Sequence, residues 1–188
     1  MIKNYVPPPY PEEAQQVCHV NYFSTLDVCQ VLFPLLRPHA RVCNVSSLSC
    51  HDSFRDCSSA MQNRIKTSIH TIEDVTALIN DFVKAAQTNE HLKQGFDKYP
   101  YGISKIGVTL MSTIQQKTFD QEGADDIIVN SCDVGAGGWV ATDMTDQYGV
   151  SIDRGALNPL FCALLPPNVK APKGKFLYDE KEYDWCAA

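Results

Sequence analysis

Tyr101-Gly102-Ile103-Ser104-Lys105 sets a phenol four residues ahead of an ammonium. On a helix that spacing puts both side chains on one face. An ammonium beside a phenol favours phenolate and draws the tyrosine pKa down from its reference near ~10. Tyr101 is therefore a candidate general acid/base; the plain alternative is a surface tyrosine with a lysine extending past it. Two polar residues join it. Ser47 ends the run Asn44-Val45-Ser46-Ser47, at the C-terminal end of an expected strand, where open α/β sheets hold ligands. Asn21 interrupts an expected helix within Val20-Asn21-Tyr22-Phe23, where asparagine lowers helix propensity. Alone, Ser47 reads as a loop hydroxyl and Asn21 as an exposed or capping residue. Cys50-His51 offers a thiol beside an imidazole, but adjacency in sequence is not nucleophile–base geometry.

The eight cysteines, Cys18, Cys29, Cys43, Cys50, Cys57, Cys132, Cys162 and Cys186, include no C-x-x-C pair. Their mostly apolar neighbours suit small buried hydrophobes better than a disulfide framework, and a reducing, cytoplasmic compartment is expected. No Cys/His run has zinc-ligand spacing, so no metal is expected.

The elements that must position these groups follow from hydrophobic period. Pro11 with Glu12-Glu13 opens a helix expected to run to about Leu36, after an extended entry over 6–11. Val17, Val20, Val28, Val31 and Leu35 form its expected apolar stripe. Residues 41–46 read as a buried strand, 46–52 as a polar loop and 58–68 as a short helix. Thr71 to Asp74 resembles a capping box, and Val75, Leu78, Ile79, Phe82, Val83 and Ala86 follow at helical spacing. Pro100 opens a helix to about 118, with Ile103, Ile106, Leu110, Met111 and Ile114 on one face. Residues 126–131 read as a second strand, 155–165 as a helix and 174–178 as a third strand. Gly135, Gly137 and Gly138 loosen the connection after the second strand. Helices alternating with short apolar strands imply an α/β fold with a parallel sheet, and three strands are few for so many helices.

Composition narrows the partners. The chain has 188 residues, 44% of them hydrophobic, and a net charge of −6, so a single globular domain is expected. The absence of a basic excess or Lys/Arg cluster argues against a nucleic-acid or anionic-membrane partner. No apolar run reaches membrane-spanning length, and the N-terminus lacks a secretory layout.

Helix Asn21, strand-end Ser47, then Tyr101 and Lys105 together resemble the short-chain dehydrogenase/reductase superfamily. Closer resemblance is to NADPH-dependent carbonyl reductases. It is carried by Asn21-Tyr22-Phe23-Ser24-Thr25-Leu26-Asp27-Val28-Cys29, Arg41-Val42-Cys43-Asn44-Val45-Ser46-Ser47, residues 101–109, Gly138-Trp139-Val140-Ala141-Thr142-Asp143-Met144 and Ala163-Leu164-Leu165-Pro166-Pro167. The resemblance implies a Rossmann-type doubly wound sheet and NADPH as cofactor. It implies hydride transfer to aldehydes, ketones or quinones, with Tyr101 as proton donor and Lys105 lowering its pKa and binding the nicotinamide ribose. Ser47 would orient the carbonyl, and Asn21 would hold a water linking Lys105 to solvent. Val140, Ala141 and Thr142 would line the nicotinamide and phosphates. The segment 54–95, between Ser47 and Tyr101, resembles the helical insertion of monomeric carbonyl reductases, and a monomer is expected.

Departures from the family are equally legible. No Thr-Gly-x-x-x-Gly-x-Gly occurs, nor the Asn-Asn-Ala-Gly that follows the family's fourth strand. The chain resembles the C-terminal two-thirds of a reductase, a single incomplete domain over 1–188 without its first four strands. Residues 132–139 are longer than the family turn, lack its proline and put Asp133 where phosphates or nicotinamide would approach. Ala141 stands where closer relatives carry arginine. Two functions compete: a working carbonyl reductase, and a catalytically inactive one that acts by pairing its open strand edge with another chain. A cysteine hydrolase is the third and weakest reading.

Overall fold

The protein, seen in a computed structural model, is described over residues 8–134, 139–145 and 147–187. The expectations for Gly135, Gly137 and Gly138, and part of that for the extended entry over 6–11, lie outside the described residues.

Helix formation begins at α1 (Tyr10–Cys18), with proline in its first turn and Glu12 and Glu13 at its positive end. A π-helical turn (His19–Phe23) joins it to α2 (Ser24–Leu32), and a short 3-10 turn (Phe33–Leu35) closes the run. The expected apolar stripe is corrected here. Ala14, Cys18, Tyr22, Leu26 and Cys29 are buried, whereas Val20, Val28, Val31 and Leu35 are exposed. Small and aromatic side chains let α1 approach its neighbours closely, and the valine row points the other way.

Strand β1 (Arg41–Val45) leads into α3 (Ser49–Asp56), which replaces the polar loop expected there. α3 is polar on average but buries Cys50 and Phe54, an i,i+4 pair, on one side. α4 (Ser59–Thr67) and α5 (Ile72–Gln87) follow. The Thr71 hydroxyl accepts from the Asp74 amide and the Asp74 carboxylate accepts from the Thr71 amide, completing the capping box. α6 (Pro100–Gln121) is buried on every side from Gly102 to Thr109. A Cβ on Gly107 would lie 2.9 Å from Tyr22 and 3.0 Å from Ile79, so glycine there admits both neighbours against the helix.

β2 (Ile128–Cys132) is wholly buried, and α7 (Ile152–Ala163) starts earlier than expected, capped by the Ser151 hydroxyl on the Arg154 amide. β3 (Phe176–Tyr178) is joined by a short β4 (Lys181–Glu182) that periodicity did not reveal. Asp179 and Glu180 between them both have positive φ, as a two-residue hairpin turn requires.

The sheet order is β1-β2-β3-β4, parallel except for the β3–β4 hairpin, and α6 and α7 both pack against it. The expected α/β class with a mostly parallel sheet is what the structure has. Among the described residues, the outer edge of β1 has no strand partner. At its start Arg41 donates to the Asp126 carboxylate (2.8 Å) and to the carbonyls of Leu165 (3.0 Å) and Pro166 (2.6 Å). Asp126 also accepts from the Asn168 amide (2.7 Å) and pairs with His39 (2.8 Å), so one carboxylate ties together the segments entering β1 and β2 and leaving α7.

Candidate active site

Ser46 and Ser47 follow β1 directly, at the C-terminal edge of the parallel sheet. The Ser46 amide donates to the Cys132 carbonyl (2.8 Å), carrying the ladder one step beyond the strand. Its buried hydroxyl bonds Thr109 (2.7 Å) and the Lys105 carbonyl (3.1 Å), which docks α6 onto the strand end. Ser47 then turns out of the sheet, and its hydroxyl accepts from the Ser49 amide at the start of α3 (3.2 Å).

The first turns of α6 supply Tyr101 and Lys105. α3 presses on this part of α6 so closely that a Cβ on Gly102 would fall 2.8 Å from the Ser49 carbonyl and 1.9 Å from the Ser53 hydroxyl. Glycine beside Tyr101 therefore sets the distance between Ser47's segment and the phenol. Burial pushes the Tyr101 phenol up from its ordinary value, with the Ser47 hydroxyl pulling the other way and Asp133 adding to the rise. The Lys105 ammonium lies 5.4 Å from the Tyr101 ring centre and donates to the Val45 carbonyl (3.0 Å). Burial lowers its pKa, and the Asp133 carboxylate counters that. The expected downward pull of Lys105 on Tyr101 is not what governs the phenol in this structure; burial is.

Asn21 lies in the π-turn, and its amide donates to the Ser104 hydroxyl (3.0 Å), which donates to the Tyr101 carbonyl (2.6 Å). Asn21 thus reaches the Tyr101 turn through Ser104. The Thr25 hydroxyl donates to the Asn21 carbonyl (2.9 Å). Asp133 completes the group from the end of β2. Its buried carboxylate accepts from the Leu48 amide (2.6 Å), and burial raises its pKa against the opposing pull of that amide, Ser47 and Lys105. The sequence flags Asp133 as a departure; the sheet register is what brings its charge beside Ser47 and Lys105.

The structure therefore gathers Ser47, Tyr101, Lys105 and Asp133, with Asn21 linked to Tyr101 through Ser104 by two hydrogen bonds. For Val140, Ala141 and Thr142 the described contacts run to residues 145–155. Val140 bridges Val150 and packs on Gly155 of α7, the Ala141 amide donates to Val150, and the Thr142 amide donates to the Thr145 hydroxyl. A cavity of about 510 Å³ lies elsewhere, between Thr113 of α6 and Phe176, Glu182 and Trp185, and its lining includes none of the five.

A buried ammonium, a phenol and a hydroxyl at a strand end can donate protons to one oxygen and stabilise charge developing on it. Lys105 and Tyr101 also present the donors that the ribose next to a nicotinamide would need. The residues present thus fit that end of a dinucleotide, while the sequence contains no glycine loop for its pyrophosphate.

No protein-family model matches the chain. Carbonyl reductase (NADPH) 3 of Homo sapiens is 35% identical over 181 residues, which is 95% of this chain and 64% of the relative. Carbonyl reductase (NADPH) 1 of Rattus norvegicus is 36% identical over 181 residues with the same coverage. The chain spans a little under two-thirds of the length of these relatives. Among solved structures, salutaridine reductase from Papaver somniferum superposes with a TM-score of 0.73 at 24% identity, over 90% of this chain and 55% of that one. Menthone neomenthol reductase from Mentha piperita gives 0.66 at 22% identity, over 89% and 51%. Along nearly the whole chain the sequence is similar to NADPH carbonyl reductases, and the fold is shared with two plant reductases.

Proposed function

We propose that this chain carries the proton-donating half of an NADPH-dependent carbonyl reductase acting on aldehydes, ketones or quinones. The observation that supports this most is the meeting of Ser47, Tyr101 and Lys105 where β1 ends and α6 begins. NADPH, when bound, supplies a hydride to the carbonyl carbon. Tyr101 gives its phenolic proton to the carbonyl oxygen as negative charge grows there. Ser47 donates a hydrogen bond to the same oxygen and orients it. The Lys105 ammonium beside the ring favours the phenolate left behind and hydrogen-bonds the nicotinamide ribose, while Asn21 steadies the Tyr101 turn through Ser104. Because burial raises the Tyr101 pKa, the phenol is protonated at neutral pH, the form that a reduction consumes. Val140, Ala141 and Thr142 belong to the cofactor side of this reading.

We further read residues 1–188 as one reductase unit in which 54–95 is the insertion between Ser47 and Tyr101. The stripe Val75, Leu78, Ile79 and Phe82 is buried within the same chain, which supports a monomer. A cytoplasmic setting and a small-molecule carbonyl partner go with the same reading.

A second reading, a catalytically inactive relative acting through another chain, draws on two observations: Asp133 places a carboxylate beside Lys105, and the outer edge of β1 has no strand partner among the described residues. Titration of the purified chain with NADPH, followed by the cofactor's fluorescence and then by quinone turnover, separates the two. Saturable enhancement with turnover supports the reductase. A folded chain that leaves NADPH fluorescence unchanged up to millimolar cofactor supports the inactive relative.

A further inference from the structure

The fold collects three cysteines that lie far apart in sequence. Cys43 sits mid-β1, Cys132 ends β2, and Cys162 lies in the last turn of α7. In the β1–β2 register Cys43 is opposite Asn130 and Val45 opposite Cys132, so the two strand thiols are diagonal neighbours on the face that α7 covers. Their sulfurs are 3.3 Å apart, and all three sulfurs lie within 4.8 Å of one another. Cys132 and Cys162 are almost fully buried, and Leu177 and Phe161 pack around them. None of the three belongs to the Ser47–Tyr101–Lys105 group.

A point shared equally by three sulfurs at these separations is at most about 2.8 Å from each. A thiolate–metal bond is about 2.3 Å for zinc and similar for other small d10 ions, so a contraction of about half an ångström closes the site. The donor set decides the metal. All three ligands are soft sulfur, and among the described residues no histidine or carboxylate joins the group. Soft thiolates select Cu(I) or zinc. Structural zinc takes four ligands, and the apolar surroundings of Leu177 and Phe161 offer neither a fourth side chain nor a home for a water. Three-coordinate Cu(I) needs neither.

We propose that Cys43, Cys132 and Cys162 form a three-thiolate site for one Cu(I) ion, held between the sheet and α7. Three S–H bonds break as three Cu–S bonds form, three protons pass to solvent, and copper keeps its oxidation state.

The test uses the full chain, reduced and kept anaerobic. Cu(I) is added as its acetonitrile complex in competition with the chromophoric chelator bicinchoninate. The expected result is one equivalent withdrawn per chain and a higher melting temperature with that equivalent bound. Cys43→Val and Cys162→Ala should each weaken retention roughly tenfold or more, since losing even an outer-shell partner of a metal site has that effect. Cys29→Ala, a buried thiol outside the cluster, should behave as the unaltered protein. X-ray absorption of the copper-loaded chain should show sulfur neighbours alone, three of them, and this reading decides the matter if the variants do not fold. Copper held equally well by Cys43→Val and Cys162→Ala, nitrogen or oxygen in its shell, or zinc displacing it from the site would each overturn the proposal.

Discussion

The two helices that pack against the sheet, α6 and α7, have unlike surroundings. α6 lies among α1, α3 and α5 and is buried all round from Gly102 to Thr109. α7 buries Gly155, Asn158 and Cys162 but turns Leu157 and Leu160 outward, and Leu164 just past its end is 74% exposed. β1, whose outer edge has no strand partner among the described residues and where Val45 is exposed, packs against α7. Tyr101, Lys105 and Ser47 belong to the α6 side, whereas Val140 packs on Gly155 of α7. The residues proposed to donate the proton are therefore held by packing that this chain supplies itself, and the segment proposed for the cofactor rests on the more exposed layer.

The sharpest challenge to that contrast is Tyr101→Phe. Quinone reduction should fall about 10²- to 10⁴-fold while NADPH binding is kept, as removal of a general acid predicts. Stopped-flow rates beside fluorescence titration would show it, and retained turnover would remove Tyr101 from its role.

Packing is tested next. Phe82→Ala, in α5 against the α6 side, should cost about 3–5 kcal/mol, and Leu160→Ala on α7 should stay within about 0.5 kcal/mol. Urea midpoints measure both. An equal loss at Leu160 would mean that the outer face of α7 is covered in solution.

A smaller effect is expected at Asp133. Replacing it with asparagine removes a negative charge beside Lys105 and should tighten NADPH severalfold in the same titration; weaker binding would show that the carboxylate helps to build the site.

The last prediction concerns acid. The Asn168 amide, then Arg41 and His39, hold the Asp126 carboxyl well below the usual carboxylate range. A depressed folded pKa gives stability that is complete above the unfolded value near ~3.9 and is lost as pH falls through the folded one. Melting temperature should drop in that acid range, and Asp126→Asn should flatten the drop while lowering the melting temperature at neutral pH. An unchanged acid profile in that variant would show that the Arg41 cluster is not what fails first.

How far the sequence anticipates the site depends on whether spacing is local. Tyr101 and Lys105 are legible because a helical i,i+4 pair is fixed by the chain itself, and Ser47 because a short apolar strand precedes it. The α5 helix was legible from its capping box and its period. The valine stripe misled because the buried face of α1 and α2 is chosen by the neighbours they approach, which admit Ala14, Cys18 and Cys29. α3 hid behind polar composition, and β4 is too short to leave a period. The Cys43–Cys132–Cys162 group is invisible in sequence, since its members meet only through strand register and the crossing of α7.

The π-turn at His19–Phe23 has a bearing on how this chain can change length. It amounts to one residue more than an α-helix would spend between α1 and α2. Each residue of an α-helix turns the chain by about 100°. An uncompensated extra residue would therefore swing Leu26 and Cys29 out of the core; the wider π-turn absorbs it, so α2 keeps the facing that an unbroken helix one residue shorter would give. Deleting one residue within 19–23 should restore an unbroken α-helix with Leu26 and Cys29 still buried and the exposed valines still outside. Loops are where insertions and deletions are usually tolerated, but here a helix takes up a change of one residue without turning what lies downstream.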